Sequence, residues 1–154
     1  MAPERGRVRV AARVAVAAPP PAVFGAVTDW DGQSGWMVLT RVAAAGGPAG
    51  VGERLLAVTG VGPLGFRDPM QVTRLEPPSR VEVRHLGRVV RGSGTFLVDP
   101  APGGAWLTWV EDLELPLGAL GRAGFALVRP VVGGLLRRSL RRLARQLETA
   151  RRAR

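Results

Sequence analysis

Proton chemistry in this 154-residue chain has few places to reside: there is one histidine, His85, no cysteine, and all 22 basic residues are arginines. Within Arg80–Leu86 the alternation of Val81 and Val83 carries His85 onto the same strand face, and within Trp106–Leu115 the residues Leu107, Leu113 and Leu115 carry Trp109 and Glu111 with them. His85 and Glu111 are therefore the candidates to point into an apolar interior. A buried carboxylate has a raised pKa and a neighbouring imidazole accepts or delivers a proton, which is the equipment for enolisation, aldol cyclisation or dehydration. The plainer reading makes His85 a hydrogen-bonded or solvated residue at a strand end and pairs Glu111 with an arginine such as Arg54 or Arg91.

A second constellation is apolar. Phe24, Trp30, Trp36, Met37, Phe66, Met70, Phe96, Trp109 and Phe125 fall near both ends of the expected interior, a set that suits a flat apolar ligand and equally an ordinary core. A third is cationic. From Arg122 onward ten arginines stand against one acid, Glu148, so nine of the ten net positive charges sit in the last 33 residues. Such a stripe attracts phosphate, and an anionic membrane surface fits it better than nucleic acid, for which the chain has no reading motif and no tyrosine to stack. A solvated face is the plain alternative, because the absence of Lys, Ile, Asn and Tyr reflects a GC-biased gene. No cofactor is expected: GGPAGVG lacks the Lys–Ser/Thr ending of a phosphate loop, no nucleophile elbow occurs, and one histidine without cysteine makes no transition-metal site.

The elements that must position these residues follow from periodicity. RVRVAARVAVA at 7–17 sets Val8, Val10, Val14 and Val16 against Arg7, Arg9 and Arg13, a half-buried strand that ends at the Pro triplet 19–21. Pro20 or Pro21 opens a short helix, Ala22–Thr28, and Asp29–Met37 is a turn or second short helix. Strands are predicted at Val38–Ala44, Val51–Thr59, Phe66–Leu75, Arg80–Leu86, Val89–Val98 and Trp106–Leu115. The chain ends in a long amphipathic helix from Pro130, preceded by a looser helical turn over Leu117–Val128; Val131, Val132, Leu135, Leu136, Leu140, Leu143 and Leu147 form its oily stripe. With no helix after each strand the sheet is antiparallel, and it curls around the terminal helix. Gly92 and Gly94, sharing a register with Phe96 and Val98, and Gly133 and Gly134 on the helix, leave room for a hollow.

This order of elements, with the words VAAPPPAVFGAVTDWDGQSGWM, VGERLL, VTRLEPPSRVEVRHLG and RGSGTFLVDPAPGGAWLTWVEDLELPLG, resembles the START-like superfamily, in particular its polyketide cyclase/dehydrase and lipid transport (SRPBCC) members. The resemblance implies an α+β helix-grip fold, with a curved antiparallel sheet of about seven strands around a long C-terminal helix and two short helices after the first strand. It implies one domain over 1–154, with its core at about 8–150, and a pocket between sheet and helix. Its motifs specify fold rather than reaction, since members range from carriers of hydrophobic molecules to aromatase/cyclases.

The expected function is binding of a hydrophobic, lipid- or polyketide-like small molecule by Trp30, Trp36, Met37, Arg54, Phe66, Met70, His85, Phe96, Trp109, Glu111 and Phe125. The alternative is a cofactor-independent polyketide cyclase, aromatase or dehydratase with Glu111 and His85 as acid and base. Both monomer and homodimer are compatible with the sequence. A cytoplasmic location is expected, since cysteine is absent and Met1–Arg13 does not resemble a signal peptide. Arg122 and Arg129 interrupt the oiliest region, so no charge-free run reaches the length of a membrane span.

Overall fold

The computed structural model describes residues 6–88 and 90–154; Met1–Arg5, part of the segment read against a signal peptide, and Val89, the expected start of the sixth strand, lie outside them. Among the described residues seven strands form one antiparallel sheet: β1 Gly6–Val16, β2 Thr40–Gly46, β3 Arg54–Thr59, β4 Phe66–Glu76, β5 Arg80–Leu86, β6 Arg91–Ala101 and β7 Gly104–Leu115. Their spatial order is β1-β7-β6-β5-β4-β3-β2, so β1 and β2 are the edges. Helix α1, Pro20–Thr28, and a 3-10 turn, Asp31–Gly35, follow β1, and helix α2, Gly118–Arg152, closes the chain. This is the helix-grip architecture.

Alternation decides the faces. In β1, Val10, Ala12 and Val16 are buried while Arg7, Arg9 and Arg13 are exposed, and in β4 Asp68, Met70 and Val72 are buried between more exposed neighbours. Proline at 20 and 21 costs α1 nothing, because first-turn amides have no intrahelical acceptor, and Val23, Phe24 and Val27 are its buried side. Three strands, β2, β3 and β6, start later than periodicity suggests, β6 at Arg91. Leu39 sits in the left-handed region at φ 58° and the Val38 N–H donates to Ser139 Oγ at 2.9 Å, which delays β2. The turn before β3 keeps Gly50 and Gly52 at positive φ, with the Gly52 N–H donated to the Val72 carbonyl at 2.8 Å.

Helix α2 is one element, not a loose turn followed by a helix at Pro130, which lies inside it. Pro130 has no N–H to offer the Ala126 carbonyl, yet the helix runs through it without a break. Gly121 is there by necessity: a Cβ would collide with the Pro116 carbonyl oxygen. The two halves of α2 differ. In the second half Leu136, Ser139, Leu140, Leu143 and Ala144 are buried against the sheet, and Arg142 and Gln146 donate to the Gly35 carbonyl. The first half lies along edge strand β1, with Gly118 and Arg122 beside Gly6 and the Arg129 guanidinium donating to the Arg9 carbonyl at 2.7 Å. Leu117, Leu120, Leu127, Val128 and Val131 are left exposed; Val131, expected on the oily inner stripe, is among them.

Candidate functional site

One end of the sheet is only half covered. The register Gly6↔Leu115, Gly92↔Leu113, His85↔Gly92, Met70↔His85 and Thr59↔Phe66 brings the β3–β4 and β5–β6 connections to the end where α2 begins. On the inner face here Phe66, Val83, Trp109, Glu111, Leu113 and Leu115 are partly exposed, and so are Phe125 and Val132 on the facing side of α2. The opposite end is sealed by Trp36, Leu107, Leu140 and Leu143.

On this apolar wall stands a charged cluster. His85, buried on β5, donates through Nδ1 to Asp68 Oδ2 on β4 at 2.7 Å and through Nε2 to Glu111 Oε2 on β7 at 2.9 Å. The other oxygen of Glu111 accepts from Trp109 Nε1 at 2.7 Å. Burial pushes the imidazole pKa down, but hydrogen bonds to Asp68 and Glu111 and the charge of both carboxylates outweigh it and raise it to about 10. At neutral pH the ring is therefore an imidazolium with both N–H groups committed. The cluster carries one net negative charge when both carboxylates are ionised. Asp68 Oδ1 is buried with no partner among the described residues and lies against the β5–β6 turn, 3.8 Å from where a Cβ on Gly87 would be.

Gly94 is what admits the Glu111 carboxylate. A Cβ at 94 would sit 2.9 Å from Glu111 Oε1, so the missing side chain is filled by that carboxylate rather than left as a hollow. Gly92, at φ 111°, answers a backbone demand: a Cβ there would collide with the Asp112 carbonyl oxygen. Gly133 and Gly134 leave a recess of about 430 Å³ between α2 and β1, at the edge rather than over the inner face.

His85 and Glu111 are brought together, as their registers predict. Trp36, Phe96 and Trp109 pack edge-on and tilted, with ring centroids 5.0 to 6.2 Å apart, directly behind Glu111. Met37 and Met70 are buried, and Phe66 and Phe125 are half-buried at the open end. Two expectations fail. Arg54 is exposed on the outer face of β3, opposite in register to buried Leu55, so neither it nor exposed Arg91 partners Glu111. Trp30 donates to Glu53 at 3.1 Å beyond the far end of β3 and does not reach the cluster. Asp68 was missed by sequence reasoning, although it shares a face with Phe66, Met70 and Val72; its parity was the available signal. A groove of about 930 Å³ on the outer face, between Arg9, Arg84, Asp112 and Glu82, is lined mostly by the opposite register and excludes Glu111 and Trp109.

Fold and sequence agree on a class. Residues 7–148 match the polyketide cyclase/dehydrase and lipid transport family, and the chain belongs to it. Solved structures of the same fold include TTHA0849 from Thermus thermophilus, at TM-score 0.78 and 18% identity over 93% of this chain and 99% of that one. The di-domain ARO/CYC StfQ from the steffimycin biosynthetic pathway matches at TM-score 0.75 and 14% identity, over 96% of this chain and 52% of StfQ. KanY (ms6282) matches at TM-score 0.73 and 17% identity, over 93% of this chain and 99% of that one. No curated protein matches the chain.

Proposed function

We propose that the protein binds a hydrophobic small molecule, lipid- or polyketide-like, at the open end of the inner face, between β4–β7 and the first half of α2. The observation that carries this reading is the Asp68–His85–Glu111 cluster set into a partly uncovered apolar wall. Buried ion pairs add little to stability over apolar side chains of similar size, so a charged trio facing a cleft is better explained as a fixed polar mark for a guest. Apolar burial against Trp109, Leu113, Phe66 and Phe125 supplies affinity, and Glu111, the least buried of the trio, orients the guest's polar group.

Family membership and one further observation favour a second reading, a cofactor-independent cyclase or dehydratase: Glu111 and protonated His85 form a carboxylate–imidazolium pair 2.9 Å apart. In that chemistry Glu111 would take the proton and His85 return one. Binding is preferred because both Glu111 oxygens already accept hydrogen bonds, one from His85 and one from Trp109, so neither stands free for a substrate proton.

The test is organic extraction of the purified protein with mass spectrometry of whatever accompanies it, together with titration by the apolar fluorophore anilinonaphthalene sulfonate. A co-purified hydrophobic molecule, and fluorophore binding weakened about tenfold or more by Phe125→Glu, are expected. No extracted molecule and no fluorophore binding by the native protein would remove the proposal. Glu111→Gln separates the two readings: it abolishes turnover of the extracted molecule in an enzyme, whereas a carrier has no turnover to lose.

A further inference from the structure

The first half of α2 presents an ordered apolar face to solvent. Leu120 and Leu127 are 70% and 83% exposed, and with Val131 they fall on one line of the helix at about 100° per residue. The same line continues through Arg138, Arg141 and Arg145, all exposed. The outer face of α2 is thus oily in front and cationic behind. At the same end of the sheet the β3–β4 connection exposes Leu64, at 85%. Isolated exposed leucines mean little, but an aligned set beside the open end of a cleft marks an interaction surface.

We propose that this face docks on an anionic lipid bilayer, with the leucine half of α2 at the headgroup boundary and the arginine half on lipid phosphates. Charge selects the occupant. From Leu115 to Leu147 there is no acid, while Arg122, Arg129, Arg137, Arg138, Arg141, Arg142 and Arg145 are all cationic. A second copy laid along the same face would set arginine against arginine when parallel and arginine against leucine when antiparallel, whereas an anionic bilayer offers phosphate to one half and an apolar boundary to the other. The helix rests on the bilayer rather than crossing it. An 18-residue stretch of α2 has mean hydropathy 1.3 and, despite Arg122 and Arg129, is apolar enough to span. The same helix, however, is fixed to the sheet by buried Leu140 and Leu143 and by the Arg129 bond to β1. The exposed leucines of α2 border the open end; that a guest passes between bilayer and cleft rests on the proposed pocket, but docking itself does not.

The experiment is co-sedimentation of the full chain with vesicles of phosphatidylglycerol and phosphatidylcholine in equal parts, and with phosphatidylcholine alone. Binding to the mixed vesicles at low salt is expected, weakened about tenfold or more by Leu120→Glu with Leu127→Glu and also by Arg138→Glu with Arg141→Glu. These exposed substitutions leave the melting temperature and the yield of co-purified hydrophobic molecule unchanged, which separates this test from that of the pocket. The proposal is overturned if the native protein does not sediment with anionic vesicles or binds phosphatidylcholine equally well. It is also overturned if the leucine variants bind as the native chain does, or if light scattering shows a dimer that Leu127→Glu dissolves while vesicles go unbound.

Discussion

His85 is an imidazole clamped between two carboxylates, and its titration is unusually easy to isolate. Its folded pKa of about 10 lies above the ordinary 6.5, so the charged ring contributes its full stabilisation below pH 6.5 and loses it as pH rises through about 10. The sequence has no tyrosine and no cysteine, and its basic side chains are all arginine, so no other side-chain type ordinarily titrates from pH 7 to 10. Urea midpoints should therefore fall across that window in the native protein and stay level in His85→Asn. Removing the ring altogether, in His85→Ala, leaves Asp68 and Glu111 buried without a cation and should cost about 3–5 kcal/mol in urea unfolding at pH 7. At this scale the sequence told half the story. Strand parity alone brought His85 and Glu111 together, but it passed over Asp68, and the plainer alternative gave Glu111 an arginine partner, Arg54 or Arg91, that the structure does not supply. Parity names a face; it does not say which neighbour on that face a carboxylate will choose.

At the scale of elements, α2 is a helix with two duties. Leu140→Ala opens a cavity under the sealed end and should destabilise by about 2–5 kcal/mol, whereas Leu127→Ala should change the urea midpoint by no more than about 0.5 kcal/mol of stability. Equality of the two would contradict the division of the helix. The leucine repeat in the second half was readable because its spacing matches a single buried stripe. The first half was not, because Gly118, Gly121 and Gly124 resemble breakers in isolation. Only the turn at Pro116 shows why Gly121 must lack a side chain. Strand β5 was bounded correctly by its flanking proline and glycine, while the starts of β2 and β3 depended on a left-handed Leu39 and on long-range backbone bonds that no local pattern encodes.

Across the whole molecule, order should run as a gradient from the sealed end to the open one. Amide hydrogen exchange is expected to be faster over Gly118–Arg129 than over Leu136–Leu147, with the difference narrowing when the fluorophore fills the cleft. Uniform protection along α2 would count against an open end. The general architecture was legible from the periodicity and order of the elements, since a meander of strands with one terminal amphipathic helix has few compact solutions. The distribution of looseness was not, because it depends on where the helix leans.

The Arg129 clasp on the Arg9 carbonyl does more than seat a helix. Strand β1 has a sheet neighbour on one side alone, and the front of α2 lies along it. That part of the helix covers the strand's unpaired carbonyls and amides, which left bare would be ready to recruit a strand from another molecule. The contact that seats the front of α2 therefore also guards the sheet against self-adhesion.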